Sequence, residues 1–258
     1  MKKVLVTGGS GFIGRHFISL IEKNYDVTNY DLGEGYDIRS AMPFNTFDYV
    51  VHFAALKSVP DSEANPHNFI DTNCWGTTNL AERYREARFI NISSSAVNEV
   101  KSVYGATKQF AEAIVSRLPN ALNIRLYNVF GEGQSLKHGG VLSKFINARL
   151  TGNAPVIYGD GEQTRDFTYV GDVVESILDL MKSTRTGLVH LGYGSAISVK
   201  RLLQEVYGYG VPQYVQMRKR DYEIENSCSP EVMPVVKYGC EDGLRRTIKS
   251  YENIRDRV

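Results

Sequence analysis

Tyr104 and Lys108 stand four residues apart in the stretch Val103-Tyr104-Gly105-Ala106-Thr107-Lys108. At the start of a helix that spacing puts both side chains on one face, so the ammonium lies near the phenol. A free tyrosine titrates near ~10, and each unit of lowering corresponds to about 1.36 kcal/mol, which a neighbouring cation helps to supply. Such a tyrosine becomes a general base. Upstream, Phe89-Ile90-Asn91-Ile92 runs into three hydroxyls, Ser93-Ser94-Ser95. An apolar run of this kind makes a buried strand, with the serines at its end. A Y-x-x-x-K pattern alone fits any amphipathic helix start; behind this strand it is a specific signal.

A second set of residues opens the chain, where Met1 to Gly14 reads MKKVLVTGGSGFIG. Val4-Leu5-Val6 suits a strand buried on both faces, and Ile13, Phe17, Leu20 and Ile21 follow at helical spacing. The turn between them carries Gly8, Gly9, Gly11 and Gly14, fitting both G-x-G-x-x-G and G-x-x-G-x-x-G. A tight turn, close approach to a pyrophosphate and close helix–strand packing all exclude a Cβ, and a helix N-terminus offers N–H groups to phosphates. A second strand, Asp26 to Tyr30, ends in Asp31, about 20 residues past the glycines, where a carboxylate can accept both ribose hydroxyls. Asp31 would repel a 2′-phosphate, which favours NAD over NADP. An oxidised nicotinamide would also bring positive charge to the tyrosine.

The elements that position these residues follow from the rest of the chain. Strands are predicted over roughly 3–7, 26–30, 48–53, 88–93 and 121–126. Gly33 to Thr46 is a short linker. Asn65-Pro66 opens a helix that runs to about Ala87, and Gly76 inside it implies a close crossing with a neighbouring element. Gly140-Val141-Leu142 opens another helix through Leu150. Val156 to Asp172 reads as a strand, a Gly-Asp-Gly turn and a return to a helix, and a final helix covers about Glu241 to Arg255.

The chain has 258 residues, enough for one large domain or one plus a small appendage. Thirty basic against twenty-nine acidic residues leave a net charge of +1, which argues against nucleic acid or an anionic membrane as partner. Cys74, Cys228 and Cys240 lack C-x-x-C spacing, so they offer no metal site and fit reduced thiols in a cytosol. No signal peptide or membrane-spanning run is read, and a cytoplasmic location is expected.

Taken together, TGGSGFIG, the serine cluster, Y-x-x-x-K and the stretch Tyr158-Gly159-Asp160-Gly161-Glu162-Gln163-Thr164-Arg165-Asp166-Phe167-Thr168-Tyr169-Val170-Gly171-Asp172 resemble the extended short-chain dehydrogenases that act on nucleotide sugars, the NAD-dependent epimerase/dehydratase family. The resemblance is strongest to the UDP-galactose 4-epimerase type and spans Met1 to Ser250. It implies an α/β fold, a Rossmann-type doubly wound parallel sheet with a small C-terminal α/β substrate-binding domain. Residues 1–128 would form the NAD-binding domain, with segments around 167–192 returning to it, and 129–258 mainly the substrate domain.

Residue roles follow from the same resemblance. Gly8, Gly11, Phe12, Ile13 and Gly14 would pass the pyrophosphate, Asp31 the ribose, and Asp37-Ile38 the adenine. Phe53, Ala54 and Ala55 would lie against the cofactor, which Lys57, Asn73, Ser93 and Tyr127 would also contact. Ser95, Tyr104 and Lys108 would be catalytic, with Ser95 sharing the sugar 4-hydroxyl with Tyr104, and Lys108 holding the ribose. Asn128, Val141, Val156, Tyr158, Gln163, Arg165, Arg220 and Glu223 would bind the substrate, Arg165 and Arg220 on its diphosphate. Helices near 66–87 and 102–118 would pair across a two-fold axis in a homodimer.

The resemblance also bears on the reaction. Dehydratases of the family carry Asp-Glu after the catalytic hydroxyl residue, and decarboxylases carry Glu; here Ala96-Val97 follows Ser95, as in epimerases. A NAD-dependent 4-epimerase of a UDP-sugar, working through a 4-keto intermediate, is the leading expectation. A nucleotide-sugar reductase or dehydrogenase with net redox, or a non-catalytic NAD-binding protein, is the alternative. Nine positions separate Ser95 from Tyr104 where relatives insert a couple of dozen residues, so a more open or differently roofed pocket is expected.

Overall fold

A computed structural model describes residues 1–40, 42, 45–136, 139–208, 211–216 and 235–255. In chain order the first half reads β1 Lys3–Thr7, α1 Phe12–Ile21, β2 Asp26–Tyr30, β3 Tyr49–His52, α2 Val59–Ala64, α3 Pro66–Phe69, α4 Gly76–Arg83, β4 Arg88–Ser94, α5 Val103–Val115 and β5 Ala121–Leu126. The second half reads β6 Asn128–Phe130, α6 Val141–Thr151, β7 Val156–Tyr158, β8 Thr164–Tyr169, α7 Val170–Lys182, β9 Gly187–Leu191, β10 Ala196–Ser198, α8 Val199–Tyr207, β11 Gln213–Val215 and α9 Gly239–Arg255. Two compact units result, one of Met1–Leu126 with Val174–His190 and one of Tyr127–Val173 with Leu191–Val258. Among the described residues no helix is long and apolar enough to cross a membrane.

The first unit is built on a six-stranded sheet in the order β2-β1-β3-β4-β5-β9. Its pairings from β2 through β5 are parallel. Val4, Leu5, Val6, Val50, Val51, Phe89, Ile90, Leu122 and Ile124 are wholly buried, as strands covered on both faces require. Strand β2 sits at the sheet edge, which accounts for its polar Asp-Val-Thr-Asn-Tyr sequence and its mostly half-buried residues. Helix α1 buries Phe17 and Ile21 from its apolar stripe. The chain turns into it at Gly8, with φ of +68°; a Cβ there would meet the Ala54 nitrogen at 2.5 Å.

The helix expected over 66–87 is in fact three pieces. Helix α3 gives way to a π-helical turn, Ile70–Trp75, before α4 resumes. The wider turn carries Asn73, whose buried amide reaches out of the helix to other segments, a common use of π geometry. Helix α4 stops at Arg83 because Tyr84 leaves helical geometry, at φ −117° and ψ 36°, and buries its ring. Gly76 lies against Ile38, whose Cδ1 a Cβ would meet at 2.6 Å.

The second unit holds a three-stranded sheet, β10-β8-β6, and a two-stranded one, β11-β7. The stretch 156–172 departs from the expectation of one strand and a helix: β8 intervenes, parallel to β6 and antiparallel to β10. Its aspartates tie loops together. Asp166, fully buried, accepts from the backbone N–H of Tyr193 at 3.2 Å and of Gly194 at 2.8 Å. Asp172, equally buried, accepts from the N–H groups of Lys237, Tyr238 and Gly239 at 2.9, 3.0 and 2.9 Å and from the Tyr193 hydroxyl.

Candidate active site

The glycine turn, the end of β2 and the stretch after β3 surround a cavity of about 380 Å³. Gly8, Gly11, Asp31, Asp37, Ile38, Phe53, Ala54 and Ala55 all line it. Asp31 ties the wall together, its carboxylate accepting from Gly33 N at 2.8 Å and Ser10 N at 3.2 Å. Asp37 is gripped by the Arg39 guanidinium at 2.6 Å, which holds its carboxyl below the usual range. Gly14 is buried at the start of α1, where Phe12 and Ile13 are half-buried, and Lys57 is exposed.

The cavity also takes in residues that sequence reasoning passed over: Tyr30, Leu32, Tyr36, Arg39, Leu56, Asn68 and Thr72. Tyr36 stacks on Tyr30, ring centroids 4.9 Å apart. Adjacency to Asp37 could have pointed to Tyr36, and the four-residue spacing of Asn68 and Thr72 to one helical face. The cavity suits a dinucleotide. Its backbone-lined glycine corner leaves no room for a Cβ, and a carboxylate stands at the end of the second strand.

Beyond that cavity, Tyr104 and Lys108 lie in the first turns of α5 as the spacing requires. The Tyr104 ring meets the edge of Phe69, centroids 6.5 Å apart. Near its phenol lies the Ser94 side chain, the neighbour of the expected Ser95. Ser94 also caps the 3₁₀ turn Ser95–Val97 by accepting from Ala96 N at 3.2 Å. The expected lowering of the Tyr104 pKa is reversed here: burial raises it, and the nearby Ser94 hydroxyl only partly opposes the rise. Lys108 is 4% exposed and donates to the Ile92 carbonyl at 2.7 Å. Burial lowers its pKa to about 8, against the pull of Glu112 and Cys74.

Two expected contact residues are occupied by the protein itself. Ser93 donates to Glu112, which a half-buried Arg125 grips through two bonds at 2.8 and 2.7 Å. The Asn73 amide accepts from Leu56 N at 2.8 Å and donates to Leu56 O and Thr107 Oγ1, both at 3.0 Å. Asn73 thereby fastens the cavity wall to the tyrosine helix. Behind it His52 is wedged between Thr7 at 2.7 Å and Thr77 at 2.9 Å, and burial drops its pKa to about 3.

The expected substrate residues other than Ser95, together with Tyr127 of the expected cofactor contacts, belong to the second unit. Tyr127 is buried, and Asn128 donates to Asp166 O at 3.2 Å. Val141 begins α6. Val156 is exposed on β7, and Tyr158 on the same strand has the Lys144 ammonium 5.9 Å from its ring centroid. Gln163 donates to Tyr158 O at 2.9 Å, and Arg165 to Thr164 O at 2.7 Å. Arg220 and Glu223 lie outside the described residues.

Comparison with known proteins sets this geometry in a family. Residues 4–192 match the NAD dependent epimerase/dehydratase family. A Methanocaldococcus jannaschii protein provisionally named a UDP-glucose 4-epimerase is 33% identical, the match covering 77% of this chain and 79% of that one. A Bacillus cytotoxicus UDP-N-acetyl-alpha-D-glucosaminuronate decarboxylase is 28% identical over 99% of both chains. Among solved structures, the UDP-N-acetylglucosamine 4-epimerase of Methanobrevibacter ruminantium superposes with a TM-score of 0.89 at 28% identity, over 98% of this chain and 99% of that one. The UDP-glucose 4-epimerase of Thermotoga maritima gives 0.88 at 27%, with the same coverage. The chain belongs to the NAD-dependent epimerase/dehydratase family, and NAD is its cofactor.

Proposed function

We propose that this enzyme is a 4-epimerase of a UDP-linked sugar, working through a 4-keto intermediate. The observation that carries the reading is Tyr104 four residues before a buried Lys108, in the first turns of one helix, with the Ser94 side chain near the phenol. Bound NAD supplies reversible hydride acceptance at the sugar C4. Tyr104 removes the proton of the 4-hydroxyl at its phenolic oxygen and returns it there. Its basic form needs positive charge in the pocket, from Lys108 and from the oxidised cofactor ring. Ser94 and Ser95 orient the hydroxyl. Gly8, Gly11, Phe12, Ile13, Gly14, Asp31, Asp37, Ile38, Phe53, Ala54, Ala55 and Lys57 form the cofactor side. On the second unit, Asn128, Val141, Val156, Tyr158, Gln163 and Arg165 hold the nucleotide diphosphate, Arg165 suiting it with its forked guanidinium. The working form is a homodimer.

Ala96 and Val97 after Ser95 support epimerisation, because neither side chain is an acid that could serve elimination or decarboxylation. The Bacillus cytotoxicus relative, matched over 99% of both chains, supports a second reading as a UDP-uronic acid decarboxylase. One experiment separates them. Purified enzyme is followed by proton NMR with NAD and UDP-glucose, UDP-galactose and their N-acetyl and uronic acid forms. A C4 epimer formed without net NADH is the expected result, and its loss in Tyr104→Phe ties it to this site. Loss of the uronic acid carboxyl as CO₂ would replace the reading with the second one.

A further inference from the structure

The first turn of α5 is held from outside the helix. Three N–H groups there have no partner within the helix, those of Val103, Tyr104 and Gly105. Gly105 N donates to the Ser102 hydroxyl at 3.0 Å, an ordinary cap. The other two are met by α2. Val103 N donates to Glu63 Oε1 at 2.9 Å, and Tyr104 N donates to Ser62 Oγ at 3.1 Å. Ser62 is fully buried and its own hydroxyl donates to Val59 O at 2.8 Å, which leaves its oxygen free to accept from Tyr104.

Helix α2 reaches this position through Ser58. That residue has φ of +99°, the single non-glycine residue with positive φ among those described, and it directly follows Lys57. A side chain is held in such a conformation only where the surrounding structure imposes it. Residues 54–56 line the cofactor cavity, so five residues of chain separate its wall at Leu56 from Ser62. The eight-residue link between Ser95 and Tyr104 provides neither of these two caps.

We propose that Ser62 and Glu63 are positioning residues that set the Tyr104 main chain, and with it the phenol, relative to the cofactor wall. The proposal rests on Tyr104 being the proton-transfer residue, as argued above. Glu63 works as a hydrogen-bond acceptor for the Val103 N–H. The strained turn at Ser58 is the junction through which the wall and the tyrosine helix are built as one piece.

The test compares Ser62→Ala, Glu63→Ala and Glu63→Gln in the full chain with NAD. Both alanine variants should lose about tenfold in kcat, with KM for the sugar nucleotide within about twofold, since misplacing a reacting group costs rate while leaving binding intact. Glu63→Gln, which keeps an acceptor oxygen, should restore most of that rate. Hydrogen exchange read by mass spectrometry should speed up about tenfold in the peptide covering 102–106 and stay unchanged in peptides lining the cavity. Unchanged kcat and exchange in the alanine variants would overturn the proposal, as would a loss confined to KM or NAD retention, or Glu63→Gln failing as fully as Glu63→Ala. A wild-type protein that turns over no sugar nucleotide would instead remove the epimerase reading. The exchange comparison still decides the clamp in that case.

Discussion

The Lys108 ammonium donates to the main-chain carbonyl of Ile92 at 2.7 Å, joining helix α5 to strand β4 one residue before the serine cluster begins. The lysine is therefore a strut as well as a charge. Its bond fixes how far the end of β4 stands from the tyrosine helix, and the same burial that makes this contact lowers its pKa to about 8.

Lys108 should cost stability at neutral pH. Its pKa falls from 10.5 in the unfolded chain to about 8 in the fold, so between those values the unfolded chain binds more protons and stability rises with pH. The full span is worth about 3 kcal/mol. Lys108→Met removes that penalty and also the hydrogen bond to Ile92, which offsets about 1–3 kcal/mol of the gain. Urea unfolding should find the variant as stable as wild type or more so at pH 7, and wild type should gain on it by roughly 3 kcal/mol towards pH 10.5. A difference between the two that stays flat with pH would contradict this, and the variant should lose turnover.

His52 should govern part of the acid limit. The Thr77 hydroxyl donates to Asn73 O at 2.6 Å, so it accepts from His52 Nε2–H, and Nδ1 accepts from Thr7. That arrangement needs a neutral ring. With its pKa lowered from 6.5 to about 3, the unfolded chain binds the extra proton in that window and stability falls as pH falls through it. At pH 4.5 the loss should reach about 3 kcal/mol. His52→Asn should flatten the decline in urea midpoint between pH 7 and 4.5; equal slopes in both proteins would rule His52 out as its cause.

Much of this site is readable from residue types because local geometry carries it. Tyr104 and Lys108 share a face through helical spacing alone, and Gly8 is required wherever a strand end must pass that close to Ala54. What the sequence leaves hidden depends on contacts between distant segments. Nothing near Lys108 in the chain points to Ile92 as its acceptor, so the expected lowering of the tyrosine pKa took no account of burial. Ser93 and Asn73 look like ligand contacts, yet Glu112, Leu56 and Thr107 occupy them. Helix α2 is six residues long, too short for its role on α5 to show in any periodic pattern.

The proposed homodimer has a surface to test. Ile70 and Trp75 on the π turn and Phe110 on α5 are 47%, 59% and 44% exposed, three large apolar side chains on two elements that pack together. Apolar exposure of that kind marks an interaction surface more often than an idle one. Light scattering after gel filtration should give the mass of two chains, and Trp75→Glu should give one. A monomeric wild type would remove the dimer.

Ser94 should tune the tyrosine more than Ser95 does. The Ser94 hydroxyl favours the ionised form of the phenol, while its oxygen is steadied by Ala96 N. Removing the Ser94 hydroxyl takes away what opposes the effect of burial and should raise the Tyr104 pKa further. With Tyr104 as the proposed base, a higher pKa moves the acid limb of the kcat profile to higher pH. Ser94→Ala should show that shift together with a fall in kcat. Ser95→Ala should lower kcat through lost orientation of the sugar hydroxyl and leave the limb in place. An unshifted limb in Ser94→Ala, or a shift seen only in Ser95→Ala, would return the tyrosine's partner to Ser95.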